Sequence, residues 1–247
     1  MQYVEMLRSR SVLTWFCGLL LGAFVLVVIS VYSGHAHMHG SVGTIHFSEV
    51  LKGCAFGAMV LATCVAPGLN AESGTLAITW TRPASRSAIA WRYIAVDVVT
   101  ILVGYAFVVA LVLGFLAVYG LLGNLAFDAA APLALLNAVG CVLMWYGLVT
   151  VVTARMDGRG GLISGVSWGV FLALTLLWIA PLPSMLHVLV TVLNYFSPFS
   201  YFADSSSRHG GTDTIVPLAT QYLTLIAWGF VAVTLTATVR LWSTREV

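Results

Sequence analysis

The sequence predicts an all-α polytopic membrane protein, a single transmembrane domain over residues 1 to 247, and three observations carry that prediction. Of the residues 60% are hydrophobic and only 8% charged, against roughly 25% charged in an ordinary soluble domain. Uncharged runs reach the roughly 20 residues a helix needs to cross about 30 Å of hydrocarbon, and the alternation of a transmembrane barrel is absent. The basic residues also gather on one side of those runs, as they do where Lys and Arg are retained in the cytoplasm.

The six spans are justified in turn. The first, Leu13 to Tyr32, is too long for a signal-peptide core and lacks a small-residue cleavage site, so it reads as a mature helix. Before it, residues 1 to 12 place Tyr3, Met6 and Leu7 at helical spacing with Glu5 and Arg8 on the other side. That is the pattern of a helix lying in the inner interface, a frayed basic terminus being the plainer alternative. Residues 33 to 49 are polar and glycine-containing and read as an irregular outer loop. Span two covers Val50 to Leu69, span three Tyr93 to Leu121, span four Pro132 to Ala154, span five Leu162 to Leu182 and span six Pro217 to Val239.

Between spans five and six, Ser184 to Phe196 is too short to cross alone and is punctuated by Pro181, Pro183 and Pro198. Backbone that breaks at membrane depth has to be covered by protein or line a wet cavity. Residues 183 to 204 therefore read as an outer re-entrant segment, with Asn194, Phe196, Pro198 and Phe199 as an outer gate.

Arg8, Arg10, Arg82, Arg86, Arg92, Arg155, Arg159, Arg240 and Arg245 fall on one side, with Lys52 and Arg208 opposite. Both termini are expected inside, and the net charge of +2 reflects topology rather than nucleic-acid binding. Trp15, Trp91 and Trp242 suit interfacial anchoring, while Trp145 and Trp228 read as mid-span packing residues. Four-residue glycine spacings, Gly18 and Gly22, Gly53 and Gly57, and Gly161, Gly165 and Gly169, mark faces where another helix can approach, within the chain or in a second copy.

Several chemistries fail on residue type. Lys52 is the sole lysine and lies in no GxxxxGK[ST] loop, so any ATP use needs another polypeptide. The string Gly165-Val-Ser-Trp-Gly169 matches a hydrolase elbow but opens a membrane helix instead of following a strand. Cys17, Cys54, Cys64 and Cys141 lie inside apolar spans without paired spacing, which suits packing. His35, His37 and His39, with Met38 among them, could offer imidazole and thioether to copper, or imidazole to zinc. Asp97 is the one carboxylate inside a span; it reads as paired with Arg92 or another inner-face arginine, or as reaching interfacial water, more readily than as a proton relay.

One polar stretch interrupts the greasy pattern. Pro67-Gly68 ends span two, Asn70 can cap a new helix, Glu72 sits in its first turn, and the helix should run from about Ala71 to Trp80 within a coupling element over residues 70 to 82. The pattern Glu72-Ser-Gly-Thr-Leu76, then Arg82-Pro83-Ala-Ser-Arg86, resembles the element after the second span in membrane (permease) subunits of ABC-type-2 exporters. The layout is similar too, with an N-terminal interfacial helix, six spans and short re-entrant helices before the last. One departure is Ser73, where such permeases often carry a bulkier or charged residue.

That resemblance implies a permease without chemistry of its own in the cytoplasmic (inner) membrane. It further implies nucleotide-binding ATPase subunits as partners, holding the ATP and Mg, and a second permease copy, a homodimer being favoured. Glu72, Gly74, Thr75 and Leu76 would carry the ATPase contact, with Arg82 and Arg86 supporting it. The apolar path suits hydrophobic, amphipathic or lipid-like cargo. Two other readings stand beside this one: an accessory exporter serving copper through the His35, His37, His39 loop, and a non-transporting membrane scaffold or immunity protein.

Overall fold

The computed structural model describes residues 2–33, 44–66, 85–154, 160–179, 183–201 and 218–244. Helix dominates them: α1 (Gln2–Ser33), α2 (Phe47–Val65), α3 (Arg86–Val118), α4 (Ala131–Thr153), α5 (Gly160–Ile179), α6 (Ser184–Asn194) and α7 (Thr220–Ser243). Two-residue strands β1 (Ile45–His46) and β2 (Leu125–Ala126) and 3-10 turns at Leu121–Asn124 and Pro198–Tyr201 complete the described elements. By length and composition α1 to α4 and α7 are five helices able to cross a membrane, which makes this a multi-pass membrane protein.

Helices α1 and α3 outrun their apolar cores. With 32 and 33 residues at 1.5 Å each they reach about 48 and 50 Å, well past about 30 Å of hydrocarbon. The first turns of both, bearing Arg8, Arg10, Arg86 and Arg92, are helical continuations of the spans. Residues 2 to 12 are accordingly the opening turns of α1 and not a separate helix. Ser85 starts α3, its hydroxyl accepting the Ala88 N–H at 3.4 Å and so satisfying one of the donors a helix start leaves open. At α4, Pro132 stands in the first turn, where a missing N–H costs no intrahelical bond.

Contacts between helices give their directions. Ser9 meets Asp97, while Leu13 and Phe24 lie against Gly104 and Gly114, so α1 and α3 run parallel. Leu61 lies near Gly104 and Val108 near Gly57, so α2 runs against α3. Trp145 meets Thr63, and Gly140 and Gly147 face Trp228 and Thr234, so α4 and α7 run with α2. Arg8, Arg10, Arg86, Arg92 and Arg240 thus share one end of the bundle. At the opposite end β1 pairs in parallel with β2, Ile45 opposite Leu125 and His46 opposite Ala126. Part of the loop expected to be irregular therefore has a fixed register.

The core lies among α2, α3, α4 and α7, around Ala58, Met59, Ala62, Ile101, Met144, Trp145 and Ala227. Lipid is as apolar as leucine, so close packing rather than water exclusion has to hold these helices together. Gly140 and Gly147 permit that approach: a Cβ at Gly140 would stand 3.0 Å from the Trp228 ring nitrogen, and one at Gly147 would collide with Thr234. By contrast α1 turns Trp15, Leu19 and Leu26 outward. Trp242 departs from its expected interfacial role. It is 1% exposed, packed 6.4 Å from Tyr93, whereas Trp15 and Trp91 are exposed as expected.

Candidate functional site

The strongest polar feature is a buried carboxylate clamp at the arginine-rich end. Asp97 lies on α3 and has no exposed surface. Tyr146 of α4 donates its hydroxyl to Oδ2 at 2.8 Å, and Ser9 of α1 donates to Oδ1 at 3.2 Å. The Arg8 guanidinium stands 3.8 Å from Oδ1 and also donates to the carbonyl of Val65 at 3.2 Å. An isolated buried carboxylate would cost several kcal/mol, and this set of donors offsets that cost. The residue types follow from the placement: two hydroxyls supply donors without charge, and the Nη2 of the arginine lies against both the Val65 carbonyl and the carboxylate.

Mechanically, the clamp ties the last residue of α2 and the third turn of α3 to α1 and α4. Those two helices flank the segment expected to couple to a partner. Each end of that segment therefore enters a bundle whose helices are pinned together within two or three turns. A charge-assisted hydrogen bond is roughly twice as strong as a neutral one, and the Ser9 and Tyr146 hydroxyls both donate to the carboxylate of Asp97.

A second cluster lies beside it. Thr63 of α2 accepts from the indole N–H of Trp145 at 2.7 Å and from that of Trp168 at 2.9 Å, and its hydroxyl donates to the Met59 carbonyl at 2.8 Å. One threonine thereby satisfies two indoles from α4 and α5. Trp145 also meets Phe171 edge-on at 5.2 Å, so α5 is held to the core by aromatic packing on one threonine pivot.

At the opposite end Asn194 closes the turn after α6. Its amide donates to the Val190 carbonyl at 3.0 Å and its carbonyl accepts from Ser200 at 2.8 Å. Tyr201 donates to the Tyr195 carbonyl at 2.6 Å, and Asn137 of α4 donates to the Tyr201 carbonyl at 3.4 Å. Phe196 is half exposed and packs 5.9 Å from Phe230 of α7; Pro198 begins the 3-10 turn that also contains Phe199. These expected gate residues form a knot docked on α4 and α7. Nearby, Ser48 donates its hydroxyl and its N–H to Asp128, linking the first turn of α2 to the loop before α4. The Ser48 hydroxyl is the main cause holding the Asp128 carboxyl below its ordinary value of 3.8.

The other expected site residues divide as follows. Arg86 is the first residue of α3. Glu72, Gly74, Thr75, Leu76 and Arg82, and the loop residues His35, His37 and His39, lie outside the described residues. Among the described residues no three His, Cys, Asp or Glu side chains come together as a metal group. A Cβ at Gly18, Gly22, Gly165 or Gly169 would meet no described atom within 4 Å, whereas one at Gly57 meets Val108 at 3.2 Å; Gly161 lies in the first turn of α5. Ser9, Tyr146, Thr63 and Trp168 belong to the site and were not singled out from sequence as polar partners. Single hydroxyls and indoles within apolar runs carry no signal until the helices are placed side by side.

Fold and site define an α-helical multi-pass membrane protein with polar locks at two depths. No family model, curated protein or solved structure matches the chain.

Proposed function

We propose that this chain is the membrane-spanning subunit of an ATP-driven exporter, without chemistry of its own, paired with a second copy around a central path. In this reading α5 (Gly160–Ile179) is a sixth crossing, α6 and the knot after it form the outer re-entrant segment, and both termini lie in the cytoplasm. A separate ATPase holding ATP and Mg presses on residues 70 to 82, and the path carries a hydrophobic, amphipathic or lipid-like substrate out through the inner membrane.

The single observation that carries the reading is the clamp of Arg8, Ser9, Asp97 and Tyr146. A permease driven by a borrowed motor needs the helices on either side of its coupling element joined rigidly to the helices that move. The clamp supplies that joint where α2 ends and α3 begins. The outward faces of α1 and α5, with Gly18, Gly22, Gly165 and Gly169 free of described neighbours, suit contact with a second copy. The resemblance of Glu72-Ser-Gly-Thr-Leu76 and Arg82-Pro83-Ala-Ser-Arg86 to the exporter element supplies the partner class.

Affinity purification of the full chain in mild detergent tests this. The expected result is a co-purifying ATPase in fixed ratio, lost when Glu72 and Leu76 are replaced by alanine. A solitary protein, with no nucleotide-dependent change in its behaviour, would contradict the exporter and support a membrane scaffold.

A further inference from the structure

Between α1 and α3, on the outward face of the arginine-rich end, lies a groove of about 400 Å³. Arg10 and Arg92 both line it, and its apolar walls are Leu13, Val96, Val99 and Val103, with no acidic side chain among the lining residues. Both guanidiniums are exposed, and among the described residues neither has a hydrogen-bond or ion-pair partner. They are not the arginine of the clamp: Asp97 is engaged by Arg8 and is completely buried. The only other polar side chain in the groove, Thr100, spends its hydroxyl on the Val96 carbonyl at 2.8 Å.

We infer that this groove binds one anionic phospholipid of the adjoining leaflet, its phosphate between Arg10 and Arg92 and an acyl chain along Val96, Val99 and Val103. Two features select that occupant. Cations lining one groove at the membrane surface, with no counter-charge among the described residues, attract anionic headgroups, and a planar guanidinium fork matches phosphate oxygens. The length also fits. From Arg92 to Val103 the helix rises about 16 Å, close to the roughly 15 Å thickness of one hydrocarbon leaflet, so the apolar wall ends where an acyl chain ends. A soluble anion would have no use for that wall, and a zwitterionic lipid brings an ammonium group toward two arginines.

The lipid staples α1 to α3 from outside, as Asp97 does from within, and this holds whether or not an ATPase partner exists. Native mass spectrometry of the purified full chain, titrated with phosphatidylglycerol or with phosphatidylcholine of the same acyl chains, tests it. We expect one phosphatidylglycerol retained at least tenfold more strongly than phosphatidylcholine, with the preference abolished in the double variant Arg10→Gln, Arg92→Gln. Val99→Trp, which fills the apolar wall, lowers retention with both arginines intact. Unfolding temperature in phosphatidylcholine micelles checks that the variants fold, and neither arginine has a described partner whose loss would unfold them. Equal retention of the two lipids, undiminished preference in the double Gln variant, or displacement of phosphatidylglycerol by millimolar inorganic phosphate would each overturn the proposal.

Discussion

At the residue scale the chain places one carboxylate inside the bundle and surrounds it with side chains from two neighbouring helices. A carboxylate in a span was visible in the sequence, because so few charges interrupt the apolar runs. Pairing with an inner-face arginine was expected too, but not which one: Arg92 stands five positions before Asp97 and falls on another face of α3, while Arg8 comes from 89 residues away across a parallel helix pair. Removing one partner of a fully buried pair costs about 3 to 5 kcal/mol. Arg8 is 23% exposed, which lowers the expected cost of Asp97→Asn to about 2 kcal/mol. Reversible unfolding in mixed micelles should show that loss, and the double variant Arg8→Met, Asp97→Leu should recover most of it. Strict additivity of the two single changes would mean that the pair does not act as a unit.

Asp128 gives a pH signature at the same scale. Its carboxyl is held below 3.8 in the folded protein by the Ser48 hydroxyl and N–H. A depressed folded value contributes stability that is complete above the unfolded value and lost as pH falls through the folded one. The wild-type chain and Asp128→Ala should therefore differ in thermal unfolding at pH 6 and converge as pH drops below about 3.8. A difference independent of pH would show that the Ser48 bond does not favour the charged carboxylate.

At the scale of elements, hydropathy located each apolar run within a few residues but cut α3 and α7 short at the arginine-rich end. Span three was expected from Tyr93, whereas α3 begins at Arg86, and α7 runs to Ser243, four residues past the expected Val239. The reason is physical: hydropathy detects the hydrocarbon, while backbone hydrogen bonding continues through arginine-bearing turns at the interface. The Ser85 cap was the available sign for α3. Trp242 was misplaced for the same reason: it stands in the last turn of α7, past the expected Val239, where it packs on Tyr93.

Glycine spacing likewise marked faces without saying which were used. Gly147 proved to be a contact and was not in a spaced set, whereas Gly18 was in one and meets no described neighbour. Overpacking a close helix contact costs about 1 to 3 kcal/mol, so Gly147→Ala should destabilise the isolated chain by that order. Gly18→Leu should leave its unfolding unchanged while lowering the dimer fraction seen by cross-linking in membranes. Loss of monomer stability in Gly18→Leu, with association intact, would place that face inside the chain.

At the scale of the whole molecule, composition made the membrane class readable, and alternation of apolar runs made the order of helices readable. The neighbours of each helix were not: that Tyr146, Ser9 and Arg8 converge on Asp97 depends on packing choices that no local pattern encodes. The functional account joins this clamp to residues 70 to 82, which must face the compartment that holds ATP. A cysteine at Thr75, in a chain whose Cys17, Cys54, Cys64 and Cys141 are replaced by alanine, tests it most directly, because Cys64 is exposed one residue before the end of α2 and could itself take a membrane-impermeant maleimide. The account predicts labelling at position 75 in inside-out vesicles only, and protection once the ATPase is bound. Labelling from the outer face of intact cells would contradict it.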